Sequence, residues 1–139
     1  PDTIERVLLC SGKIYYELLE EREKKGFQNT AILRLEQIYP LPYHQILEQK
    51  ELYSSAHRWV WVQEEPQNMG AWPFIEANLK DPVMSVIARP PSGSPASGSS
   101  KFHQIQQNKI VEKAFEECQC DNVCRECRQL CISKMVESL

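Results

Sequence analysis

Trp59-Val60-Trp61-Val62-Gln63-Glu64-Glu65-Pro66-Gln67-Asn68-Met69-Gly70-Ala71-Trp72 carries the change of backbone that decides the fold. Trp59 to Val62 is aromatic and β-branched, which predicts a buried strand. A polar cluster, Gln63-Glu64-Glu65, follows, and then Pro66, which has no N–H to continue a sheet ladder. Asn68 and Gly70 read as turn or cap residues, and a second apolar run begins at Ala71. The order is strand, polar turn, helix. In open α/β sheets that junction lies at the carboxyl edge of the strands, where ligands and partner domains are met. An ordinary βα loop gives the same pattern.

Outward from this stretch the alternation repeats. Arg6 to Cys10 reads as a first strand, with Ser11-Gly12-Lys13 as its turn. Ile14, Leu18 and Leu19 mark one face of a helix that Gly26 should cap. Thr30 to Leu35 is a second strand, and Pro40 and Pro42 punctuate the loop behind it. A helix is expected over His44 to Leu52, the third strand over Arg58 to Val62, and a helix from Trp72 to Leu79 with Pro73 near its start. Val83 to Ala88 is a fourth strand. Residues 89–100, rich in Pro, Ser and Gly, lack core-forming side chains and read as a loop. A closing helix is expected over Lys101 to Glu117. Four strands alternating with helices argue for a mostly parallel sheet with right-handed crossovers and helices on both faces.

The bulk numbers narrow the class. The chain has 139 residues, enough for one core, and 16 basic against 19 acidic residues give a formal charge of −3. The cations are scattered, so nucleic acid is not an expected partner. No apolar run is long enough to cross a bilayer, and no signal-peptide pattern opens the chain. The start Pro1-Asp2-Thr3-Ile4 suggests a piece of a longer polypeptide. Of the six cysteines, Cys10 stands alone and five crowd the end of the chain, so a reducing compartment is expected rather than a disulfide scaffold.

Several constellations could carry chemistry. Ser11-Gly12-Lys13, at a strand-to-helix turn, can hold an anion through backbone N–H groups and the Lys, although capping and turn geometry explain it equally. It lacks the P-loop spacing. Arg34 and Arg89 end their strands on the same edge as Lys13, so three cations on one rim would suit phosphates or an acidic partner. Glu36, Glu64 and Glu65 could pair with them instead. His44, His57 and His103 have no second ligand at metal spacing and read as surface or capping residues.

The tail, residues 118–139, allows three readings: a helical seam or frayed tail, a metal site, or a redox role. Cys120, Cys124, Cys127 and Cys131 fall on one face of an α-helix, which with Met135 makes a packing seam. Cys120, Cys124 and Cys127 also carry a spacing familiar from enzymes that hold an iron–sulfur cluster and S-adenosylmethionine, but those need a large barrel. Cys118, Cys120, Cys124 and Cys127 could supply four thiolates to zinc in a folded-back loop. The helical seam is the favoured reading.

Four segments, in order and spacing, resemble the C-terminal domain of the thiamine-dependent first component of 2-oxoglutarate dehydrogenase. They are Leu9 to Tyr16, Arg34 to Pro40, Trp61 to Trp72, and Arg89-Pro90 through Pro95-Ala96 to His103. The resemblance covers residues 6–117. It implies a three-layer α/β/α sandwich of the transketolase C-terminal type over residues 1–117; the Cys-rich tail, residues 118–139, lies beyond it and reads as helical from its spacing. It also implies a parent enzyme that decarboxylates 2-oxoglutarate on thiamine diphosphate with Mg and passes succinyl to a lipoyl-bearing succinyltransferase subunit.

In such enzymes the cofactor lies between two earlier domains, and its Gly-Asp-Gly…Asn anchor is absent here. The resemblance therefore assigns no catalytic and no cofactor residue to this chain, which alone should be inactive. What it implies for the domain is contact with a homodimer partner and with other domains, and in some members a site for acetyl-CoA or a nucleotide effector. Ser11, Lys13, Arg34, Gln63 and Arg89 are the expected effector or interdomain rim, and Glu64, Glu65, Asn68 and Gly70 the interdomain loop. Bacterial cytoplasm and mitochondrial matrix both fit. Two departures stand out: Pro73, which removes an N–H at the helix start, and the tail, which has no counterpart. A stand-alone regulatory module, or a metal-binding adaptor built on the tail, are the alternatives.

Overall fold

The computed structural model describes residues 1–93 and 100–116. The elements alternate as β1 (Arg6–Cys10), α1 (Ile14–Lys25), β2 (Thr30–Arg34), α2 (Tyr43–Leu52), β3 (Arg58–Pro66), α3 (Trp72–Asn78), β4 (Met84–Arg89) and α4 (Ser100–Phe115). The strands form one sheet in the order β2-β1-β3-β4, and every pairing is parallel. Because side chains alternate along a strand, each strand feeds two cores. Val7, Leu9, Trp59, Trp61, Met84 and Val86 face one side, where Ile46 of α2 and Trp72 and Ile75 of α3 cover them. Leu8, Cys10, Val60, Val62 and Ile87 face the other, under Ile14 and Leu18 of α1 and Ile110, Ala114 and Phe115 of α4. The result is helices, sheet, helices: three α/β layers.

The direction of the connections explains the layering. From β1 the chain steps to β2 through α1, then returns across β1 to β3 through α2 and on to β4 through α3. A reversal of direction with unchanged crossover hand requires a change of face. Hence α1 lies opposite α2 and α3, and the strand order reverses between β1 and β3. The loops after those two strands diverge there, at the carboxyl edge.

Most element ends fall within a residue or two of expectation. Gly26 ends α1 in the left-handed conformation (φ 71°), its N–H donating to the Arg22 carbonyl. The third strand is the exception. It was expected to stop at Val62 and runs instead to Pro66, with a register irregularity between Val62 and Pro66 before Pro66 pairs with Arg89. The proline is tolerated because the next residue supplies the donor: Gln67 N–H reaches the Arg89 carbonyl at 2.8 Å.

Two arginines close the amino edge. Arg6 and Arg58 are register partners on β1 and β3, both buried. Arg6 Nη1 donates to the Ala114 carbonyl and Arg58 Nη1 to that of Glu116, each at 3.0 Å. Guanidinium groups on the last carbonyls of a helix satisfy orphan acceptors and offset its negative end. Among the described residues, no helix is long and apolar enough to cross a membrane.

Candidate functional site

The rim begins with the residue that ends the tryptophan run. Along β3 the alternation sends Trp61 and Gln63 to the α3 side and Glu64 to the α4 side. Gln63 is buried, 3% exposed, and its amide is fully used. Its Oε1 accepts from Trp61 Nε1 (2.9 Å) and from the Trp72 backbone N–H (3.0 Å). Its Nε2 donates to the carbonyls of Met69 (2.8 Å), Pro66 (2.9 Å) and Glu65 (3.3 Å). One side chain therefore ties the strand end, the loop and the start of α3 together.

Gly70 belongs to the same clamp. Its φ is +65°, and a Cβ there would stand 3.0 Å from Glu65 Oε2 and 3.2 Å from Gln63 Oε1. Only glycine accepts that conformation and that approach without strain. Asn68 fixes the loop from outside: its Nδ2 donates to the Ser92 carbonyl (2.8 Å) and its Oδ1 accepts the Ser92 N–H (3.0 Å).

On the α4 side, Gln107 has the corresponding role. Its Nε2 donates to Glu17 Oε2 on α1 and to Glu64 Oε1 on β3, both at 2.7 Å, and its Oε1 accepts from Arg89 Nη2 at 3.3 Å. The two carboxylate oxygens thus lie no farther apart than twice that first distance, with one amide between them. Arg89, 5% exposed, also meets His103 Nδ1 at 2.8 Å. An arginine has only donors, so the ring nitrogen facing it accepts. Arg89 Nε is buried with no hydrogen-bond partner.

Arg34, at the end of β2, has different neighbours. Its guanidinium lies over the rings of Tyr16 (5.4 Å) and Tyr15 (5.9 Å), donates to the Tyr16 hydroxyl (3.2 Å), and pairs loosely with Glu36 at 3.7 Å. Ser11 and Lys13 are exposed at the start of α1.

The five expected rim residues therefore share one sheet edge but not one surface. Ser11, Lys13 and Arg34 open to solvent beside β1 and β2. Gln63 and Arg89 turn inward to hold the loop and α4. β2 and β4 are three strand spacings apart, roughly 14 Å, so Arg34 and Arg89 do not meet. Glu64 reaches Gln107, while Glu65, Asn68 and Gly70 remain exposed on the loop. Residues that sequence reasoning passed over are Glu17 and Gln107, and His103, expected as a surface or capping residue, is instead half-buried against Arg89; the three complete the Arg89 network. Polar residues on a helix's otherwise apolar face were the available signal: Gln107 lies a turn before Ile110.

Cys10 ends β1 in the core between α1 and the sheet. Burial pushes its thiol up to about 12, against a smaller opposing pull from Arg34. Alkylation of native Cys10 at pH 8 should be about a thousandfold slower than that of an exposed thiol. Peptide mass spectrometry after timed maleimide exposure checks this, and rapid labelling without unfolding would show that the site is open. Because the folded thiol holds its proton longer than the unfolded one, its contribution to stability is complete below pH 9.0 and is lost as pH rises toward about 12.

Among the described residues, no three His, Cys, Asp or Glu side chains gather as a metal site. Cys118, Cys120, Cys124 and Cys127 lie outside the described residues, as does the whole tail with its helical reading.

A parallel three-layer α/β sheet whose switch point is bounded by a Ser-Gly-Lys turn and a glutamine-clamped loop places the domain in the doubly wound α/β class. The chain belongs to the 2-oxoglutarate dehydrogenase C-terminal family, which matches residues 1–115. It is 44% identical over 118 residues to a probable 2-oxoadipate dehydrogenase complex component E1 homolog of Dictyostelium discoideum, covering 81% of this chain and 13% of that protein. It is 42% identical over 116 residues to a multifunctional 2-oxoglutarate metabolism enzyme of Mycolicibacterium vanbaalenii, covering 79% and 9%. It is 40% identical over 120 residues to a 2-oxoglutarate dehydrogenase E1 component of Haemophilus influenzae, covering 83% and 13%. The chain thus spans only about a tenth of the length of these relatives.

Proposed function

We propose that this chain is the C-terminal domain of an E1 enzyme that decarboxylates 2-oxoglutarate on thiamine diphosphate and passes the succinyl group to a lipoyl-bearing succinyltransferase. The observation that carries the reading is the family match over residues 1–115. The Mg that accompanies the cofactor prefers a gathered set of oxygen ligands. The family resemblance puts the cofactor and its Mg between earlier domains, and on that reading no catalytic step is assigned to this chain. The domain's part is contact with the other domains and with a homodimer partner, and response to an effector. The bacterial cytoplasm or the mitochondrial matrix would suit such an enzyme.

The effector reading draws on the switch point between β1 and β3, the usual ligand crevice of such sheets. An acidic effector, acetyl-CoA or a nucleotide, would meet Ser11, Lys13 and Arg34 directly. Gln63 and Arg89 would act by holding the loop and α4 in place, and Glu64, Glu65, Asn68 and Gly70 would face the neighbouring domain.

The test uses the full-length protein with thiamine diphosphate and Mg. Decarboxylation of 2-oxoglutarate is expected, with 2-oxoadipate run beside it because one relative is named for that acid. Turnover of neither acid would refute the enzyme reading. Calorimetry with acetyl-CoA and AMP, on wild type, Lys13→Ala and Arg34→Ala, tests the rim. Heat that is unchanged in both variants would remove the rim from the effector site.

A further inference from the structure

The two ends of α4 are fastened to the sheet by different means. Its buried residues are Gln107, Ile110, Ala114 and Phe115, so none precedes Gln107. Phe102 and Ile105, the apolar residues of the first two turns, stand 52% and 45% exposed. The ties between this end and the sheet are polar. Arg89 Nη2, at the end of β4, lies 2.8 Å from His103 Nδ1 and 3.3 Å from its Nε2, and donates to Gln107 Oε1 at 3.3 Å. Gln107 in turn holds Glu64 of β3 and Glu17 of α1.

The contact between Arg89 and His103 depends on a proton. A guanidinium has donors only, and only the neutral imidazole has a lone pair to meet it. A protonated ring would set a second cation against Arg89, which is 5% exposed and therefore poorly screened by water. The charged groups around this end of α4 are Arg89 on β4, Glu64 on β3, Lys13 and Glu17 on α1, and Lys101 on the helix itself. Both carboxylates are engaged at 2.7 Å by the Gln107 amide, and neither pairs with His103. Lys13 and Lys101 are exposed.

We infer that His103 is a proton-operated latch: its neutral ring docks the first two turns of α4 on Arg89, and its protonated ring releases them as far as Gln107. Histidine side chains change charge between about pH 5 and 8. Docking requires the neutral ring, so release takes up a proton. Docking is therefore complete at the upper end of that range and is lost as pH falls through it. Gln107 carries the change to Glu64 at the carboxyl edge and to Glu17 on α1. The latch needs only this chain's own residues and stands apart from the enzyme reading.

Hydrogen exchange of the full-length protein tests the latch, with rates corrected for the intrinsic pH dependence of amide exchange. Between about pH 8 and about pH 5.5, protection of residues 100–107 should fall about tenfold further than that of β4 or of residues 110–115. In His103→Gln, whose amide oxygen accepts from Arg89 at every pH, that extra fall should vanish. His103→Phe, whose ring takes up no proton, gives the same comparison should the glutamine variant fail to fold. Unchanged protection in the wild type overturns the latch, as does the same fall in a folded variant. A uniform fall across the domain overturns it too, because that reports global unfolding rather than release of one helix end.

Discussion

Gln63→Leu should lower the stability of the domain by about 4 kcal/mol, because it removes the five hydrogen bonds of a buried amide and takes the acceptor from the buried Trp61 Nε1–H. Trp61 Nε1–H loses the Gln63 acceptor and the Met69 carbonyl the Gln63 donor, while the Pro66 carbonyl keeps the Met69 N–H at 2.9 Å. Leucine has similar volume, so the loss reports polar satisfaction rather than a cavity. Such a change is a large fraction of the roughly 5–15 kcal/mol that holds a domain together. Gln63→Glu should be nearly as harmful, since a carboxylate keeps the acceptor but points an oxygen at three carbonyls. Urea unfolding followed by near-ultraviolet circular dichroism of the tryptophans measures both. A loss below about 1 kcal/mol would mean that water replaces the clamp.

The second large effect is expected at Gln107. Gln107→Leu leaves Glu17 and Glu64 facing each other without the amide between them and takes an acceptor from Arg89. About 3 kcal/mol of stability should be lost, as is usual when a buried polar network loses its central member. A cycle with Glu17→Gln separates repulsion from packing. If the two carboxylates are the main cost, Glu17→Gln should restore part of the loss in the Gln107→Leu background while being mildly destabilising alone. Strictly additive effects would show that Gln107 acts only through α4 packing.

These two glutamines mark the limit of what the sequence discloses. The strands were legible because buried parallel strands are continuous apolar runs, as Arg6 to Cys10 and Trp59 to Val62 are. Gly26 and Pro73 announced a helix end and a helix start through backbone constraints that act locally. The placing of Lys13, Arg34 and Arg89 on one edge followed from parallel topology alone. Gln63 was legible as a rim residue but not as a clamp, because its direction depends on strand alternation persisting through a polar cluster. The irregularity between Val62 and Pro66 hid that persistence. The partners of Arg89 were hidden for another reason. His103 and Gln107 reach it across the Pro/Ser/Gly stretch, and no local pattern states which strand a distant helix will cover. Arg6 and Arg58, each first in its strand, became intelligible only once α4 was seen to end between them.

That last arrangement also bears on the order in which the molecule can be completed. The carbonyl that Arg6 meets, at Ala114, belongs to a residue 108 positions later. All four strands exist once Arg89 has been made, yet Leu8, Val60, Val62 and Ile87 still lack Ile110, Ala114 and Phe115 over them. During synthesis, then, a finished sheet must wait with half of one face bare while the remaining residues emerge. Contacts between the beginning and end of a chain close slowly, and exposed apolar surface in the interval invites association. A chain that has emerged through Arg89 but not through Phe115 would expose this apolar face.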